Sequence, residues 1–361
     1  MTYITSIGVA NPPHRLQQSA VADFMIRAMT LDVRRAADLK ALFRASGIET
    51  RYSVLGDYGK TSDFEFYGDI DTVGAFPDTR RRIQLYQQHA PGLAEKAIHQ
   101  CLVSSVVQPK DITHLIVVSC TGMYAPGLDL DLVRSLGLRG DVQRTCVGFM
   151  GCYAAFNGLK LADAICRADQ ESRVLVVCTE LCSIHFQREP TDENLLSNAL
   201  FGDGAAALLL QSRPTGKVNL ELKNFHCAVA EDGRAEMSWT VSNFGFEMQL
   251  TPAVPDVIRR NIRSFTGALI PDLQSIRHFA IHPGGRRILD VISDELALDK
   301  PELWASRQVL RNFGNMSSPT VVFVLQALLE GNVLGEGDSI LSMAFGPGLT
   351  LESLLLEVHH A

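Results

Sequence analysis

The sequence has 361 residues, of which 46% are hydrophobic and 20% charged, so it can bury one large or two medium cores. Its formal net charge is −7 and no long basic run occurs, which argues against nucleic acid as a partner. The amino-terminal segment has no charged region followed by a long apolar run, and no stretch of about 18 apolar residues occurs. We therefore expect neither a secretory signal nor a membrane span.

Short apolar or β-branched segments alternate with helical segments along the chain. This alternation predicts an α/β fold with a largely buried sheet and helices on both faces. The predicted strands are, in chain order, 3–10, 114–120, 173–180, 204–212, 278–282, 339–345 and 350–358. The predicted helices are 17–29, 79–104, 128–136, 152–167, 253–268, 284–296 and 316–330.

Eight cysteines occur in the chain, several of them inside apolar runs such as "IVVSC" and "VLVVC". Thiols in that setting are typical of a reducing compartment, so we expect a cytoplasmic protein with free cysteines. Cys178 and Cys182 are four residues apart and no C-x-x-C pair occurs, so we expect no metal. Neither a Walker loop nor a G-x-G-x-x-G motif after a strand is present, which argues against those nucleotide folds.

The second half of the chain repeats the pattern of the first. "DITHLIVVSC" resembles "QSIRHFAIHP", and His114 precedes Cys152 by 38 residues much as His278 precedes Asn315 by 37. Cys152 and Asn315 each follow a glycine at a predicted helix start, and a strand, a glycine turn and another strand come after. One interpretation is ordinary α/β alternation; the sharper one is a duplicated α/β unit. No clear linker separates the halves, and "QSRPTGKVN" is the best boundary, which gives halves 1–213 and 214–361.

A duplicated unit would place Cys152 and Asn315 opposite each other across a pseudo-twofold axis, with His282 at the end of a nearby strand. A cysteine at a helix start meets the positive end of the helix dipole, and an adjacent His282 would hold the pair as thiolate and imidazolium. Donors from His282 and Asn315 would form an oxyanion hole for a thioester carbonyl. Taken singly, a buried cysteine is usually a packing residue and an asparagine after glycine a turn residue.

Five motifs together resemble those of type III polyketide synthases, the chalcone and stilbene synthase family, in a bacterial-type form. They are "GCYAAFNGLKLA", "LFGDGAAALLL", "IHPGGRRIL", "GNMSSPTVVFVL" and "MAFGPGLTLE", and the resemblance runs over essentially the whole chain. It implies a thiolase-like fold of duplicated five-layer αβαβα architecture and a homodimeric acyltransferase that needs no cofactor. The implied reaction is iterative condensation of malonyl-CoA onto an acyl-CoA starter, followed by cyclisation or lactonisation to an alkylresorcinol, alkylpyrone or related aromatic polyketide.

The resemblance also implies roles for individual residues. The nucleophile falls on Cys152, with His282 and Asn315 completing the triad, and the gate phenylalanine falls on Phe201. The glycines of "HPGG", which would let a ligand approach the backbone, and the serine after "GNM" are retained as Gly284, Gly285 and Ser317.

Four positions depart from the plant enzymes of that family. Met248 takes the place of a second gate phenylalanine and would make that wall softer. His185 and Cys120 replace cavity-lining threonines, the latter as in some bacterial members. Trp239 replaces a small glycine and would block one arm of the cavity.

The family's coenzyme A phosphate cluster does not align residue by residue. Lys40, Arg44 and Arg51 lie in the corresponding neighbourhood, and Arg286 and Arg287 follow the "HPGG" turn. A charged run of this kind is more often a solvated face.

Three other functions compete with polyketide synthesis. A single-condensation enzyme of the β-ketoacyl synthase III or HMG-CoA synthase type would share the fold. A papain-like hydrolase would use the same order of cysteine, histidine and asparagine, although on a fold without duplicated halves. A catalytically dead partner protein would not need the intact triad.

Overall fold

The computed structural model describes residues 1–67 and 76–360 of the chain. Within that part the strands are β1 (Tyr3–Ala10), β2 (His14–Gln17), β3 (Thr50–Ser53), β4 (His114–Ser119), β5 (Gln143–Gly148), β6 (Val174–Leu181), β7 (Asp203–Gln211), β8 (Val218–Val229), β9 (Met237–Ser242), β10 (Gly245–Leu250), β11 (His278–Ile281), β12 (Ser339–Gly346) and β13 (Thr350–His360). The helices are α1 (Gln18–Ala28), α2 (Val33–Ala45), α3 (Thr79–Val103), α4 (Leu128–Leu136), α5 (Ala154–Ala168), α6 (Asp192–Leu200), α7 (Val254–Leu269), α8 (Arg286–Glu295), α9 (Trp304–Phe313) and α10 (Thr320–Glu330). None of these helices is both long enough and apolar enough to cross a lipid bilayer.

Nine strands form one continuous hydrogen-bonded system in the order β11-β12-β13-β8-β1-β7-β6-β4-β5. In the first half, β4 pairs parallel with β6, β6 antiparallel with β7, and β7 antiparallel with β1. The second half repeats these relations with β11, β12, β13 and β8. The antiparallel pairing of β1 with β8 joins the halves, so the internal duplication expected from the sequence is present.

Three apolar layers separate the two halves of this sheet system from solvent and from each other. On β6, Val174 and Val176 point to a central layer that contains α5 and α10, whereas Leu175 and Val177 point to an outer layer with α1, α3 and α4. On the second half, β12 divides its side chains in the same way between the central layer and an outer layer with α7 and α8. This is the five-layer αβαβα arrangement expected for a thiolase-like fold.

The sequence analysis missed several elements, and some of them lack a continuous buried apolar face. Helix α2 buries only Leu39 and Phe43, and every residue of β5 and of the second half of β8 is exposed or half-exposed. The other missed elements are α6, α9, β2, β3, β9 and β10. The predicted helix 316–330 begins later, at Thr320, because Ser317 has a positive φ of 60° that a helix does not allow.

Candidate active site

Cys152 lies at the amino-terminal end of the central helix α5. It occupies a short 3-10 turn, Gly151–Tyr153, that leads directly into the helix, and only 4% of the residue is exposed. Gly151 has φ of +79°, and a Cβ at this position would come within 2.4 Å of Cδ of Pro347. A glycine is therefore required before Cys152 to bring the chain into the helix at this angle.

Asn315 lies opposite, ahead of the other central helix. Its Oδ1 accepts a hydrogen bond from the backbone N–H of Ser317 at 2.8 Å, which fixes the orientation of the amide. Its Nδ2 then lies 3.8 Å from Sγ of Cys152 and 3.3 Å from the carbonyl oxygen of Gly284, to which it donates. An amide N–H is thus held beside the cysteine sulfur.

His282 follows β11 directly, and its backbone N–H donates to the carbonyl of Met343 on β12 at 2.8 Å. Its ring is buried, and neither ring nitrogen has a hydrogen-bond partner within the described residues. The turn after it contains Gly284 and Gly285, and the N–H of Gly284 donates back to the carbonyl of His282 at 3.0 Å. Such orphaned nitrogens inside a cavity are free to bind a substrate.

The three side chains line one cavity of about 520 Å³. Gly284 and Gly285 contribute to its wall, and the exposed side chains of Arg286 and Arg287 lie where it reaches solvent. Most of the remaining wall is apolar; it includes Leu42, Leu195, Leu196, Leu200, Met237, Leu250, Val254 and Ile288. An apolar lining of this kind suits a ligand whose portion near the three side chains is apolar.

Burial controls the protonation of the two titratable groups. Desolvation raises the pKa of Cys152 to about 11, although hydrogen bonding with Ser317 and Asn315 works in the opposite direction. Desolvation lowers the pKa of His282 to about 3. The free site therefore holds a thiol and a neutral imidazole at neutral pH. Burial thus opposes the thiolate–imidazolium pair expected from the sequence, because desolvation disfavours the charged form of each group.

A second, smaller cavity of about 40 Å³ lies behind Phe201 and Met248, which line both spaces. Trp239 and His185 line only the smaller one. Phe201 and Met248 therefore both contribute to the partition between the two spaces, and their role as gate residues stays a prediction.

Hydrogen bonds fix Trp239 and His185 in this wall. The indole N–H of Trp239 donates to the carbonyl of Cys120 at 2.8 Å, and Nε2 of His185 lies 2.7 Å from the carbonyl of Thr121. Nδ1 of His185 accepts from the backbone N–H of Phe246 at 3.0 Å, and the two rings stack with centroids 4.3 Å apart. Burial lowers the pKa of His185 to about 3, so the ring is neutral and Nε2–H is the donor.

Sequence reasoning missed Glu180, a fully buried carboxylate at the end of β6. It accepts hydrogen bonds from the backbone N–H of Cys120 at 2.9 Å and from the hydroxyls of Thr121 and Ser318 at 2.7 and 2.6 Å. Burial raises its pKa, and these donors oppose the rise. Glu180 thereby connects the segment that holds Trp239 and His185 with the segment after Asn315. The acid that ends the apolar run "VLVVCTE" was the available signal, since glutamate is rarely buried without partners.

Cys120 and Ser317 line neither cavity. The backbone N–H of Gly151 donates to Sγ of Cys120 at 3.0 Å, so Cys120 supports the turn that carries Cys152. Ser317 donates its backbone N–H to Asn315, and its side chain forms a hydrogen bond with Cys152. Both are near the triad, but neither is in the wall of either space.

The five cations considered for coenzyme A lie in three different places. Arg286 and Arg287 line the active-site cavity, and their role stays a prediction. Lys40 forms an ion pair with Asp23 at 2.9 Å and lies with Arg44 in a separate surface depression. Arg51 is buried and its guanidinium contacts main-chain carbonyls, so a direct contact with a coenzyme phosphate is not supported.

One group of possible metal ligands occurs in the described residues, and it lies outside the active-site cavity. Ligand atoms of Glu221, Glu357 and His359 are within 4.8 Å of one another. Nζ of Lys223 is 3.3 Å from Glu221 and 3.4 Å from Glu357, so a cation of the chain already balances these carboxylates.

The duplicated five-layer arrangement, with candidate catalytic side chains where its two central helices begin, defines a thiolase-like enzyme. The chain belongs to the chalcone and stilbene synthase family. The family model of the N-terminal domain matches residues 1–214 and that of the C-terminal domain matches residues 224–359. These matches confirm the type III polyketide synthase identified from the sequence motifs.

A curated relative and two solved structures that resemble this chain are also polyketide synthases. "Probable polyketide synthase 1" of Dictyostelium discoideum is 28% identical over 368 residues; the match covers 99% of this chain but only 11% of that protein. The C-terminal type III polyketide synthase domain of "Steely1", a type I/III hybrid from Dictyostelium, superimposes with a TM-score of 0.91 at 27% identity and 99% coverage of both chains. PKS-I from the brown alga Ectocarpus siliculosus gives a TM-score of 0.89 at 27% identity, covering 99% of this chain and 98% of that one.

The pKa of Cys152 determines how fast the thiol reacts in the free protein. With a pKa of about 11, the thiolate fraction and hence the iodoacetamide alkylation rate should rise about tenfold per pH unit from pH 6 to 9. Peptide mass spectrometry after timed alkylation measures this rate, and the exposed Cys227 gives a reference rate in the same sample. An alkylation rate that does not change with pH below 7 would show instead that the ion pair forms, provided that His282→Ala restores the pH dependence.

Proposed function

We propose that the chain extends an acyl-CoA starter with malonyl-CoA units through a thioester on Cys152. The observation that supports this most directly is the shared apolar cavity of Cys152, His282 and Asn315, with the amide N–H of Asn315 fixed beside the sulfur. No carboxylate is needed as a base there, because loss of carbon dioxide itself generates the carbon nucleophile.

Loading of the starter uses the neutral pair. The sulfur of Cys152 attacks the starter thioester carbon as its proton passes to His282, and the coenzyme A thiolate then leaves and takes up that proton. The positive end of α5 stabilises the sulfur while it carries negative charge. The product is an acyl thioester on Cys152 with His282 neutral again.

Extension uses the two donors. The thioester oxygen of malonyl-CoA accepts hydrogen bonds from His282 and from Nδ2 of Asn315, the bond to the carboxylate breaks, and carbon dioxide leaves. The electron pair of that bond forms an enolate, whose carbon attacks the acyl thioester and displaces the Cys152 thiolate. Recapture of the longer chain by Cys152 repeats the cycle until cyclisation or lactonisation releases an alkylresorcinol, alkylpyrone or related aromatic product. Phe201, in the wall beside these groups, orients the malonyl unit.

We also propose that the chain forms a homodimer through β5. This strand is at the end of the sheet and pairs only with β4 among the described residues. Gln143 through Cys146 are exposed, and an exposed edge with free backbone groups is a ready surface for another chain. The division into halves at residues 213 and 214 and the cytoplasmic location stay predictions.

Replacement of the nucleophile should separate extension from decarboxylation. Cys152→Ala should abolish polyketide formation but retain measurable conversion of malonyl-CoA to acetyl-CoA, because His282 and Asn315 remain. Asn315→Ala should lower that conversion by roughly 100-fold, as expected for the loss of an oxyanion donor. Mass spectrometry of products and of the coenzyme A thioesters measures both reactions. Normal extension by Cys152→Ala would refute the nucleophile assignment, and one extension per starter in the unaltered chain would favour a single-condensation enzyme.

The wall between the two cavities should control chain length. Met248→Phe replaces a flexible side chain by a rigid ring beside Phe201, which should shift products towards fewer extensions. Product masses from a panel of acyl-CoA starters measure the shift. A phenylalanine at the exposed Val103, which lines neither space, is the control and should leave the masses unchanged. The same product masses from Met248→Phe and the unaltered chain would show that Met248 does not limit chain length.

A charge on β5 should weaken the proposed dimer. Cys146→Glu should lower the dimer fraction because it places a carboxylate on a surface that would be buried between two copies. Sedimentation equilibrium measures the monomer–dimer constant, and Val103→Glu controls for added surface charge. A monomeric unaltered chain at micromolar concentration would contradict the proposal, as would a dimer that Cys146→Glu leaves intact.

A further inference from the structure

Arg51 is a buried arginine whose guanidinium contacts the main chain next to the active site. It lies on β3, and only 4% of the residue is exposed. Its Nη1 donates to the carbonyl oxygens of Asn198 and Phe201 at 2.7 and 2.6 Å. It takes part in none of the salt bridges formed within residues 1–67 and 76–360. A coenzyme phosphate therefore does not explain this side chain, and neither does an ion pair.

Burying this cation costs free energy, so its two hydrogen-bond acceptors indicate why the charge is retained. Desolvation lowers the pKa of Arg51 to about 10, while Tyr58 and Asp203 oppose the fall, so the guanidinium remains charged at neutral pH. A buried charge is retained at such a place where its hydrogen bonds are needed, since an apolar side chain of similar volume is less costly to bury.

The two acceptors lie at the carboxyl end of α6, where helix carbonyls have no partner in the helix. The carbonyl of Asn198 belongs to the last turn, and that of Phe201 is just past the end of the helix. The carbonyl of Leu200, which lies between them, accepts a hydrogen bond from the backbone N–H of Asn315 at 2.9 Å. Arg51 thus caps α6, where a positive charge also meets the negative end of the helix dipole.

The same backbone segment is paired directly with Asn315. The N–H of Gly202 donates to the carbonyl of Asn315 at 2.9 Å, which closes a two-way bridge between residues 200–202 and Asn315. Cβ of Arg51 lies close to both strands of this bridge, since a Cβ built on Gly202 would be 3.3 Å from it and one built on Gly314 3.6 Å from it. Arg51 therefore binds the segment that carries Phe201 and lies next to the segment that carries Asn315.

We propose that Arg51 is a positioning residue that keeps Phe201 and Asn315 in register and so places the Nδ2 donor of Asn315 at the malonyl thioester. This role rests on the proposed function, in which Asn315 acts in decarboxylation whereas loading depends on Cys152 and His282. Loss of the guanidinium should therefore affect decarboxylation more than loading. A general loss of folded protein would reduce both steps equally.

The test compares Arg51→Lys with a matched buried arginine. Arg82 is fully buried and donates to the carbonyls of Pro77, Ile184 and Phe186, so Arg82→Lys carries a similar cost without touching the bridge. Hydrogen–deuterium exchange of peptides containing Gly202 and Asn315 reports on the bridge without any substrate. Exchange of both amides should be at least tenfold faster in Arg51→Lys than in the unaltered chain or in Arg82→Lys.

The kinetic part of the test measures the two steps separately. In the Cys152→Ala background, Arg51→Lys should lower kcat for malonyl-CoA decarboxylation by roughly 10- to 100-fold with KM within about twofold, as for a displaced catalytic group. In the chain with Cys152 intact, starter loading followed by intact mass should fall less than threefold. Arg51→Gln, which is neutral and has a shorter side chain with one amide group, is a second variant. It should also lower decarboxylation more than starter loading.

Equal loss of loading and decarboxylation in both Arg51 variants would overturn the proposal, and so would normal rates in both. Bridge amides that exchange no faster than in Arg82→Lys would overturn it as well. If the unaltered chain neither loads a starter nor decarboxylates malonyl-CoA, the proposed function fails. The exchange measurement would then still decide whether Arg51 holds the bridge.

Discussion

The position of the site depends on the burial of two helix amino-termini in one apolar layer. Helices α5 and α10 contribute to the same central core, which strands of both halves cover. Gly158 allows α5 to lie close on the sheet, since a Cβ there would be 3.0 Å from Val176 and 3.1 Å from Val118. Because the halves are related by a duplication, the segments before the two helices meet, and each half supplies part of the candidate triad.

The low polarity of that layer determines the chemistry that the site can perform. It removes water from Cys152 and His282, which keeps both groups neutral in the free protein. It also makes each hydrogen bond to a developing oxyanion stronger than the same bond in water. Charge therefore appears only when a substrate brings a carbonyl that can accept it, and this favours thioester chemistry over hydrolysis by bulk water.

The sequence predicted the duplicated fold and the three converging residues because apolar strands and glycine turns recur in both halves. It could not predict the neutral state of Cys152 and His282, since that state depends on total burial rather than on the helix start. It also could not reveal the role of Arg51, which is next to a polar stretch in the sequence but under α6 in the fold. A charged residue looks the same in the sequence whether it is exposed or buried, and only the packing of distant segments distinguishes the two cases.

Three of the four positions predicted to depart from the plant enzymes, Met248, His185 and Trp239, line the smaller cavity, and they are held there in different ways. Trp239 and His185 are bonded to successive carbonyls, those of Cys120 and Thr121, and Glu180 fixes that segment from beneath. Met248 is the flexible member beside Phe201 and has no such bond, whereas the backbone of Phe201 is held by Arg51. The space behind the wall can therefore grow through Met248 more readily than through any neighbour. A longer product would be accommodated by movement of one thioether side chain, while the triad and its supports keep their geometry.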